Sequence, residues 1–194
     1  MKITVDNITL RDYVLSDVED EVRWTNVDTE WFYTDTPWMT MEAVDADELR
    51  TDMAEIINSM SENAIRWRFE IEVDGQHIGT VSSFYRDSNL EYTPWETIDQ
   101  SRNAPENNSV RELGIEICEM KYWGKGIGTK VLAALMEYYR GFGENHFLIE
   151  TWSGNLRMLG CAGKLGFSEL RRTAGAYIVD GKEFDALILE KKFQ

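Results

Sequence analysis

A glycine-rich string constrains the fold of this chain more than any other feature of its sequence. The string, Trp123–Thr129, has glycine at positions 124, 126 and 128. The alternating pattern of Arg111–Cys118 before it is typical of a β-strand, and the apolar residues of Gly126–Arg140 after it recur at helical spacing. Because glycine lets the backbone turn sharply and lets a ligand approach closely, the string predicts a strand–loop–helix unit with an accessible helix start.

The start of that helix is a candidate anion site. Its free N–H groups point out of the helix, and the helix dipole adds partial positive charge. The string is not a Walker A loop, because no Gly-Lys-Ser/Thr ends a GxxxxGK frame. It is not a dinucleotide fingerprint either, because Val131 stands where the third glycine of GxGxxG belongs. A strand-to-helix turn without a ligand is the alternative interpretation of the string.

The rest of the chain alternates between strand and helix patterns. Asp74-Gly75 lies between two alternating runs and predicts a β-hairpin, and Ser16–Glu19 matches a capping box at a helix start. The predicted elements in chain order are a strand at 8–11, helices at 16–24 and 43–60, strands at 66–73, 77–84 and 111–118, a helix at 126–140, a strand at 146–152, a helix at 155–165, and a hairpin of 169–178 with 183–191. This order predicts an α/β fold (α+β, mixed sheet), mostly antiparallel around a β–α–β centre, in one domain of residues 1–194.

The net charge of the chain limits the kinds of molecule that we expect it to bind. The chain has 20 Lys and Arg against 35 Asp and Glu, a formal net charge of −15. Such a field repels nucleic acid and anionic membranes and attracts cations, so we expect neither a nucleic-acid nor a membrane partner. The charge serves solubility, or it reflects a cationic acceptor molecule. The sequence lacks an 18-residue apolar run and a signal-peptide pattern, so we expect a cytoplasmic location.

Cysteine and histidine content argues against metal and disulfide chemistry. The chain has two cysteines, Cys118 and Cys161, and two histidines, His77 and His146. Neither pair has the spacing of a metal-binding motif, and two distant cysteines do not make a disulfide framework. We therefore expect no metal site.

Two motifs together carry a family resemblance. Tyr122–Thr129 resembles the coenzyme A pyrophosphate loop of the GNAT N-acetyltransferase superfamily, commonly R/Q-x-x-G-x-G/A, with Trp123 where Arg or Gln is usual. A Tyr-Trp-Gly-Lys-Gly string is similar to the RimJ/RimL-like branch of that superfamily. Asn155–Met158 followed by Lys164–Phe167 resembles the family segment N-x-x-x…K-x-G-F. The separation of the two motifs and the order of elements also fit, so the resemblance covers nearly the whole chain.

The resemblance implies a GNAT-like fold in which two parallel strands splay apart, here those ending near Cys118 and Trp152. Acetyl-CoA would lie in the opening, with backbone groups of Glu116, Ile117 and Cys118 pairing with its pantetheine arm and loop amides holding its pyrophosphate. The implied cofactor-binding residues are Ile117, Cys118, Trp123, Gly124, Lys125, Gly126, Ile127, Gly128, Thr129, Asn155 and Arg157. For Arg157, a surface ion pair is an equal alternative.

Acetyl transfer needs a neutral amine, and a carboxylate at the cleft can accept the proton as general base. Deprotonating a lysine-like or polyamine nitrogen of pKa ~10.4 costs roughly 4–5 kcal/mol at pH 7, whereas an α-amino group costs about 1 kcal/mol. Strand alternation puts Glu112, Gly114 and Glu116 on one face. Glu116 is our first candidate, because similar aminoglycoside 6'-N-acetyltransferases carry a carboxylate around there, and Glu112 is the second. A solvated or ion-paired carboxylate is the alternative for each.

One position departs from the family pattern. Ala162 stands seven residues after Asn155, where many members place a Tyr as general acid for the leaving thiolate. The general acid is therefore open, although a CoA thiolate leaves readily without one. Cys161 is next to this position, and we expect it to be a small core residue.

The acceptor side is predicted in the aromatic-rich segment 25–40, which matches the acceptor-site helices of the family. Aromatic faces attract ammonium groups, so our substrate-binding candidates are Trp31, Tyr33, Asp35 and Trp38, with core packing as the alternative for the tryptophans. The long polar segment 86–109 adds the acidic residues Glu91, Glu96 and Asp99.

The resemblance leaves the acceptor open among a protein N-terminus, a polyamine, an aminoglycoside and another small cationic amine. A homodimer through the final hairpin is a further expectation by analogy. A non-catalytic CoA-binding sensor or scaffold is the alternative function. A toxin that acetylates charged tRNA is disfavoured by the net charge, because tRNA-binding proteins usually have a basic face.

Overall fold

A computed structural model describes residues 1–93, 98–99, 104–105 and 109–194. The described strands include one sheet of eight in the order β1-β2-β3-β4-β7-β8-β10-β9 and one small hairpin of β5 with β6. The strands are β1 (Lys2–Val5), β2 (Ile8–Arg11), β3 (Arg68–Val73), β4 (Gln76–Arg86), β5 (Ile98–Asp99), β6 (Ala104–Pro105), β7 (Val110–Ile117), β8 (His146–Trp152), β9 (Ser168–Val179) and β10 (Lys182–Lys192). The α-helices are α1 (Asp17–Asn26), α2 (Phe32–Asp35), α3 (Ala46–Ser59), α4 (Ile127–Arg140) and α5 (Leu156–Leu165).

The centre of the large sheet is its parallel pair, β7 and β8. All other neighbouring strands of this sheet run antiparallel. The parallel pairing covers only Arg111 with Phe147 and Glu112 with Leu148. Beyond these residues the two strands separate towards their carboxyl ends, as predicted. An opening in the middle of a sheet leaves backbone groups free for a ligand, because each polar backbone group needs a partner.

The core lies between the sheet and α4. Its apolar side chains come from alternate strand positions, such as Phe69 and Ile71, and from one face of the helix, such as Leu132 and Leu135. All four are fully buried. The helix forms because these apolar residues recur every three to four positions, which gives it one continuous apolar face.

The opposite face of the sheet carries charged residues and is bound by α1. Glu70 of β3 and His77 of β4 are buried there. The His77 Nε2 atom lies 3.0 Å from a Glu70 carboxylate oxygen, and its Nδ1 lies 3.1 Å from Asp20 of α1. The Asp17 carboxylate of α1 is paired with Arg11 of β2 at 2.6 Å. Ion pairs therefore hold α1 on this face, where the core holds α4 on the other.

Several local predictions were wrong. Ser16 makes no side-chain cap, and the Asp17 carboxylate instead accepts a hydrogen bond from the Val14 N–H. Strand β1 was missed, because a four-residue edge strand pairs only with β2 and has no long pattern of its own. The aromatic-rich segment 25–40 contains a 3₁₀ turn, Thr29–Trp31, followed directly by α2.

The long polar segment 86–109 lies partly outside the described residues. Its described part contains the end of β4, a bridge between Arg86 and Tyr92, and the β5–β6 hairpin. Among the residues that the structure describes, no helix is long and apolar enough to cross a membrane.

Candidate active site

A cleft of about 300 Å³ lies at the opening between β7 and β8. This volume is at the lower end of the range for small-molecule sites. It is bordered by the carboxyl end of β7, the glycine-rich string, one side of α5 and the end of α2. Its lining residues are Trp31, Thr34, Asp35, Ile115, Glu116, Ile117, Tyr122, Trp123, Gly124, Gly126, Ile127, Gly128, Thr129, Asn155, Leu156, Arg157, Met158, Gly160, Cys161 and Lys164.

The glycine-rich string forms an open cradle at the start of α4. Gly124 and Gly126 have φ values of 72° and 77°, which only glycine adopts readily. A Cβ atom at either position would meet no atom within 4 Å, so the space next to this backbone is open. Gly126 is the N-cap of α4, and the first helical N–H groups follow it. The cradle and the helix start suit a phosphate group, so the residues present fit the pyrophosphate of a CoA molecule.

Trp123 fixes the beginning of the string against β7. Its indole Nε1 donates a hydrogen bond of 2.7 Å to the Ile117 carbonyl oxygen. The guanidinium of Arg157 lies 4.3 Å from the centre of the indole ring. Trp123 therefore contacts both the end of β7 and Arg157 of α5.

Asn155 has a structural role at the start of α5. Its side-chain oxygen accepts a hydrogen bond of 3.0 Å from the Met158 N–H, which makes it the N-cap of this helix. Its amide nitrogen lies 3.5 Å from a carboxylate oxygen of Asp35. Asn155 therefore joins α5 to the acceptor-side helix α2.

Glu116 presents its carboxylate to the cleft. The side chain is exposed to the cleft, and the described residues make no hydrogen bond or ion pair with it. The surrounding cleft walls exclude part of the water around the carboxylate, which raises the pKa of Glu116 to about 7, and the negative charge of Asp35 adds to this effect. A carboxyl group with a pKa near neutrality can both accept a proton from an amine and release it again.

The backbone at Glu116 is positioned by an unusually close approach of β4. Gly79 has a φ of 151°, and a Cβ there would lie 2.0 Å from the Glu116 carbonyl oxygen. Only glycine lets the two backbones lie this close together. The contact fixes the position of the Glu116 backbone next to β4. The next residue of β4, Thr80, is the register partner of Glu116.

Asp35 is the second carboxylate in the cleft. Burial raises its pKa above the usual range for an aspartate. Trp31, which also lines the cleft, is fixed by a hydrogen bond of 3.0 Å from its Nε1 to the Trp24 carbonyl oxygen. The structure thus brings together Glu116, Asp35 and Trp31 in the lining of the cleft.

Glu112 occupies a different environment from Glu116. It does not line the cleft, and its carboxylate is bound by the Arg86 guanidinium at 2.6 and 3.2 Å. Arg86 also contacts the Glu150 carboxylate. Burial raises the pKa of Glu112, and the Arg86 charge opposes this effect. The ion-paired alternative therefore describes Glu112.

The other acceptor-side candidates lie away from the cleft lining. Tyr33 is an exposed side chain. Trp38 stacks on Tyr177 of β9 with ring centres 3.6 Å apart, and its edge faces Trp152. The sequence pattern did not single out Tyr177 or the Trp152 side chain. No signal was available for them, because these contacts join segments more than 100 residues apart.

The remaining candidate residues for cofactor binding lie in the core or near the glycine-rich string. Cys118 does not line the cleft. It is buried and packs with Trp24 and Trp31, and burial raises the pKa of its thiol. Lys125 is exposed, with its Nζ 5.4 Å from the Tyr122 ring centre. Tyr122 lines the cleft, although the sequence analysis gave it no role.

Ala162, the position that departs from the family pattern, and the neighbouring Cys161 differ in their access to the cleft. Ala162 is in the core and 1% exposed, so no general acid stands there. Cys161 lines the cleft instead of packing wholly in the core, with its Sγ 3.4 Å from the Thr129 hydroxyl. Of the acidic candidates in 86–109, Glu91 is exposed, Glu96 lies outside the described residues, and only the backbone of Asp99 is described.

Comparison with solved structures identifies the fold. RimL, the ribosomal L7/L12 alpha-N-protein acetyltransferase in complex with coenzyme A, matches with a TM-score of 0.70 and 17% identity, over 100% of this chain and 98% of that chain. An acetyltransferase from Salmonella typhimurium that modifies the N-terminal serine of L7/L12 matches with a TM-score of 0.67 and 16% identity, over 100% of both chains.

A third similar structure is the microcin C7 self-immunity acetyltransferase MccE in complex with acetyl-CoA and AMP. It matches with a TM-score of 0.67 and 19% identity, over 97% of this chain and 94% of that chain. No curated protein matches the sequence significantly.

The sequence also matches a family model. The model describes an acetyltransferase (GNAT) domain, and it covers residues 7–168, well over half of the chain. This range contains the opening between β7 and β8, the cradle at the start of α4, and α5. The chain therefore belongs to the GNAT family of acetyltransferases, which confirms the resemblance drawn from the two sequence motifs and the prediction of an acetyl-CoA-dependent acetyltransferase.

Proposed function

We propose that this protein transfers the acetyl group of acetyl-CoA to a primary amine, with Glu116 as the general base. The observation that carries the proposal is the Glu116 carboxylate, which has no hydrogen-bond or ion-pair partner among the described residues, in a cleft whose other end is the glycine-rich cradle. Residues 1–194 are taken as one N-acetyltransferase domain, because the eight-stranded sheet includes both the second residue and Lys192.

The chain supplies binding and orientation for the acetyl donor. When bound, acetyl-CoA provides the activated acetyl group and the thiolate that leaves. The N–H groups at the start of α4 would hold phosphate, and the backbone of β7 beyond its pairing with β8 would accept a chain that runs between the strands. Trp123 joins the cradle to the end of β7 through its hydrogen bond to the Ile117 carbonyl oxygen.

Glu116 removes the proton that blocks the amine. A protonated amine has no free electron pair, so the amine becomes a nucleophile only after a base takes its proton. The pKa of about 7 makes Glu116 a stronger base than an ordinary glutamate, which helps proton removal from an ammonium group. Its exposure to the cleft gives it contact with the acceptor, either directly or through one water molecule.

Asp35 and Trp31 hold the acceptor ammonium next to Glu116. Asp35 lines the cleft with no cationic side chain bound to it among the described residues, so a cation from outside is a favourable partner. An aromatic face such as Trp31 adds attraction for the same charge. This grouping, together with the net charge of −15, favours a cationic acceptor.

The finer identity of the acceptor stays open among the amine classes. RimL is described as acting on the N-terminus of ribosomal protein L7/L12, which supports a protein N-terminus as one candidate. An α-amino group also costs only about 1 kcal/mol to deprotonate at neutral pH. Polyamines and aminoglycosides are the other candidates, because they carry several positive charges.

The test is thiol release from acetyl-CoA against an amine panel of spermidine, kanamycin and short peptides with free N-termini. We expect release with one class of amine and its loss in Glu116→Gln, while CoA binding measured by calorimetry is retained. Binding of CoA without release for any amine would favour the sensor or scaffold, which the core position of Ala162 also favours. Absence of CoA binding would contradict the assignment of the cradle.

A further inference from the structure

The acceptor side of the cleft is held by a chain of contacts that begins just after β7. Trp31 lines the cleft and is 9% exposed, and its indole Nε1 donates a hydrogen bond of 3.0 Å to the Trp24 carbonyl oxygen. Trp24 lies in the last turn of α1, where backbone carbonyls have no partner within the helix. The position of Trp31 in the cleft therefore depends on where α1 places Trp24.

Glu119 holds the Trp24 side chain. Its Oε1 atom accepts a hydrogen bond of 3.2 Å from Trp24 Nε1 and one of 2.7 Å from the Arg23 guanidinium. The Glu119 side chain is only 13% exposed. Burial opposes its ionisation, but the hydrogen bonds from Arg23 and Trp24 outweigh this effect and lower the pKa of Glu119. The carboxylate therefore stays charged, and a charged acceptor binds the indole N–H more strongly than a neutral one.

The backbone of Glu119 is attached to the part of β4 that also positions Glu116. The Cys118 and Glu119 N–H groups both donate to the Ile78 carbonyl oxygen, at 2.9 and 3.3 Å. The next residue of β4, Gly79, makes the close approach to the Glu116 carbonyl oxygen. Two adjacent residues of β4 therefore fix the backbone of both the proposed base and the anchor of Trp24.

The side chains between Glu119 and the cleft are packed together. Trp24, Trp31 and Cys118 form one buried apolar cluster, and Trp123 packs against it. Because protein interiors have few voids, a displaced ring moves the rings that it touches. A shift of Trp24 would therefore displace Trp31, the aromatic side chain that faces the acceptor.

We propose that Glu119 is a positioning residue for the acceptor amine: through Trp24 it holds Trp31 where the indole meets the ammonium group. Glu119 does not line the cleft, so it acts through these two side chains and not by contact with a substrate. It sets the affinity for the acceptor and leaves donor binding and proton transfer unchanged. The inference rests on the proposed function, since it needs an amine acceptor at this end of the cleft.

The first test is steady-state kinetics of Glu119→Met at saturating acetyl-CoA. Methionine has a similar length but no strong acceptor for the Trp24 N–H. We expect the KM of the best amine to rise roughly three- to tenfold, as for weakening one aromatic contact with an ammonium group, and kcat to stay within about twofold. The Kd of CoA should not change, because Trp123 has its own hydrogen bond to the Ile117 carbonyl oxygen. Glu119→Gln keeps an accepting oxygen and should recover most of the loss.

Asp28→Asn is the matched control. Asp28 binds the same Arg23 guanidinium, at 2.6 Å, and its side chain is 49% exposed. The acceptor of the Trp24 N–H is Glu119, so Asp28→Asn weakens the ion pairing of Arg23 and leaves that hydrogen bond in place. The amine KM of this variant should stay within about twofold of wild type. An equal rise in Asp28→Asn and Glu119→Met would assign the effect to Arg23 and overturn the role of the Trp24 hydrogen bond.

A double-mutant cycle tests whether Glu119 acts through Trp31. Trp31→Phe keeps an aromatic ring but removes the N–H that binds the Trp24 carbonyl oxygen. If the effect passes through this hydrogen bond, Glu119→Met should raise the amine KM much less in the Trp31→Phe background than in wild type. Equal fold increases in the two backgrounds would mean independent action and would overturn the proposal.

Folding and activity separate the other outcomes. If Glu119→Met does not fold, Trp24→Phe removes the same hydrogen bond from its other side and should give the same rise in amine KM. An unchanged amine KM in a folded variant would overturn the positioning role of Glu119, and so would a rise matched by weaker CoA binding. Absence of acetyl transfer to any amine by the wild-type protein would instead overturn the proposed function, and this inference with it.

Discussion

The two ends of β7 each carry a glutamate, but the two carboxylates have different surroundings. At the closed end, Arg111 and Glu112 pair with β8, and their charges are bound by Glu144 and Arg86. At the open end, Glu116 has no register partner on β8, and its carboxylate faces the cleft. Glu112 and Glu116 are four residues apart on the same face of the strand, yet one is ion-paired and the other is available to a substrate.

The difference shows that the splay of the sheet creates the site. Where the strands are paired, neighbouring side chains converge and neutralise one another. Burial raises the pKa of both glutamates, but only Glu112 has a bound guanidinium among the described residues that opposes this effect. The chemistry at Glu116 therefore depends on the closed end, which fixes where the separation begins.

The largest expected effect is on catalysis at the open end. Glu116→Gln should lower kcat/KM by about 10²–10⁴-fold, the usual contribution of a general base. Glu112→Gln, the matched change at the closed end, should retain activity within a few-fold, because this carboxylate lies outside the cleft lining. Steady-state kinetics with the best amine of the panel makes the comparison. A larger loss for Glu112→Gln would reverse the assignment of the base.

A smaller effect is expected on stability at the closed end. Arg111 is 1% exposed, donates to Ser83 at 2.6 Å and stacks on the Tyr139 ring at 3.8 Å. Arg111→Met should reduce the free energy of unfolding by about 2–4 kcal/mol, since Glu144 and Ser83 lose a buried partner. Urea unfolding measures this change.

An exposed arginine provides the control for that measurement. Arg172 pairs with Glu169 at the protein surface, 2.6 Å apart, and Arg172→Met should have little effect on unfolding. Equal effects of the two changes would mean that the closed end is not a rigid anchor for the opening.

The pH dependence of stability should reveal the cost of ionising Glu116 in the folded protein. Its pKa is about 7 in the folded protein and 4.5 in the reference state, so the folded protein holds this proton up to higher pH. Stability therefore falls as pH rises from about 4.5 to 7, because ionisation is less favourable in the folded state. Glu116→Gln lacks this loss, and its melting temperature relative to wild type should be higher at pH 8 than at pH 5. A difference independent of pH would contradict the raised pKa.

The smallest expected effect is a shift of the pH–activity profile. With Glu116 as base, kcat/KM should rise with pH and level off above about pH 7, until deprotonation of the acceptor amine adds its own rise. Asp35→Asn removes the nearby negative charge that raises the pKa of Glu116, so the midpoint should move to lower pH. Steady-state kinetics at closely spaced pH values across this range resolve the shift. An unchanged midpoint would mean that Asp35 only binds the acceptor.

Local sequence patterns predicted the elements whose structure depends mainly on their own residues. The glycine-rich string, the amphipathic α4 and the strand His146–Trp152 were predicted at or within one residue of their observed bounds. A helix start depends mainly on its own backbone, so the glycine-rich turn before α4 could be recognised from its own residues. Strand β1 and the short α2 could not be, because each is held mainly by contacts with other segments.

For the site, the sequence by itself determined the alternation that puts Glu112, Gly114 and Glu116 on one face, and the glycines that open the cradle. Only the tertiary structure decided which glutamate is free, because that depends on where β8 leaves β7 and on Arg86, 26 residues before Glu112. It also decided that Asp35 reaches the cleft while Trp38 stacks on Tyr177. The physical reason is range: backbone geometry is set by neighbours in sequence, whereas charge pairing and solvation are set by neighbours in space.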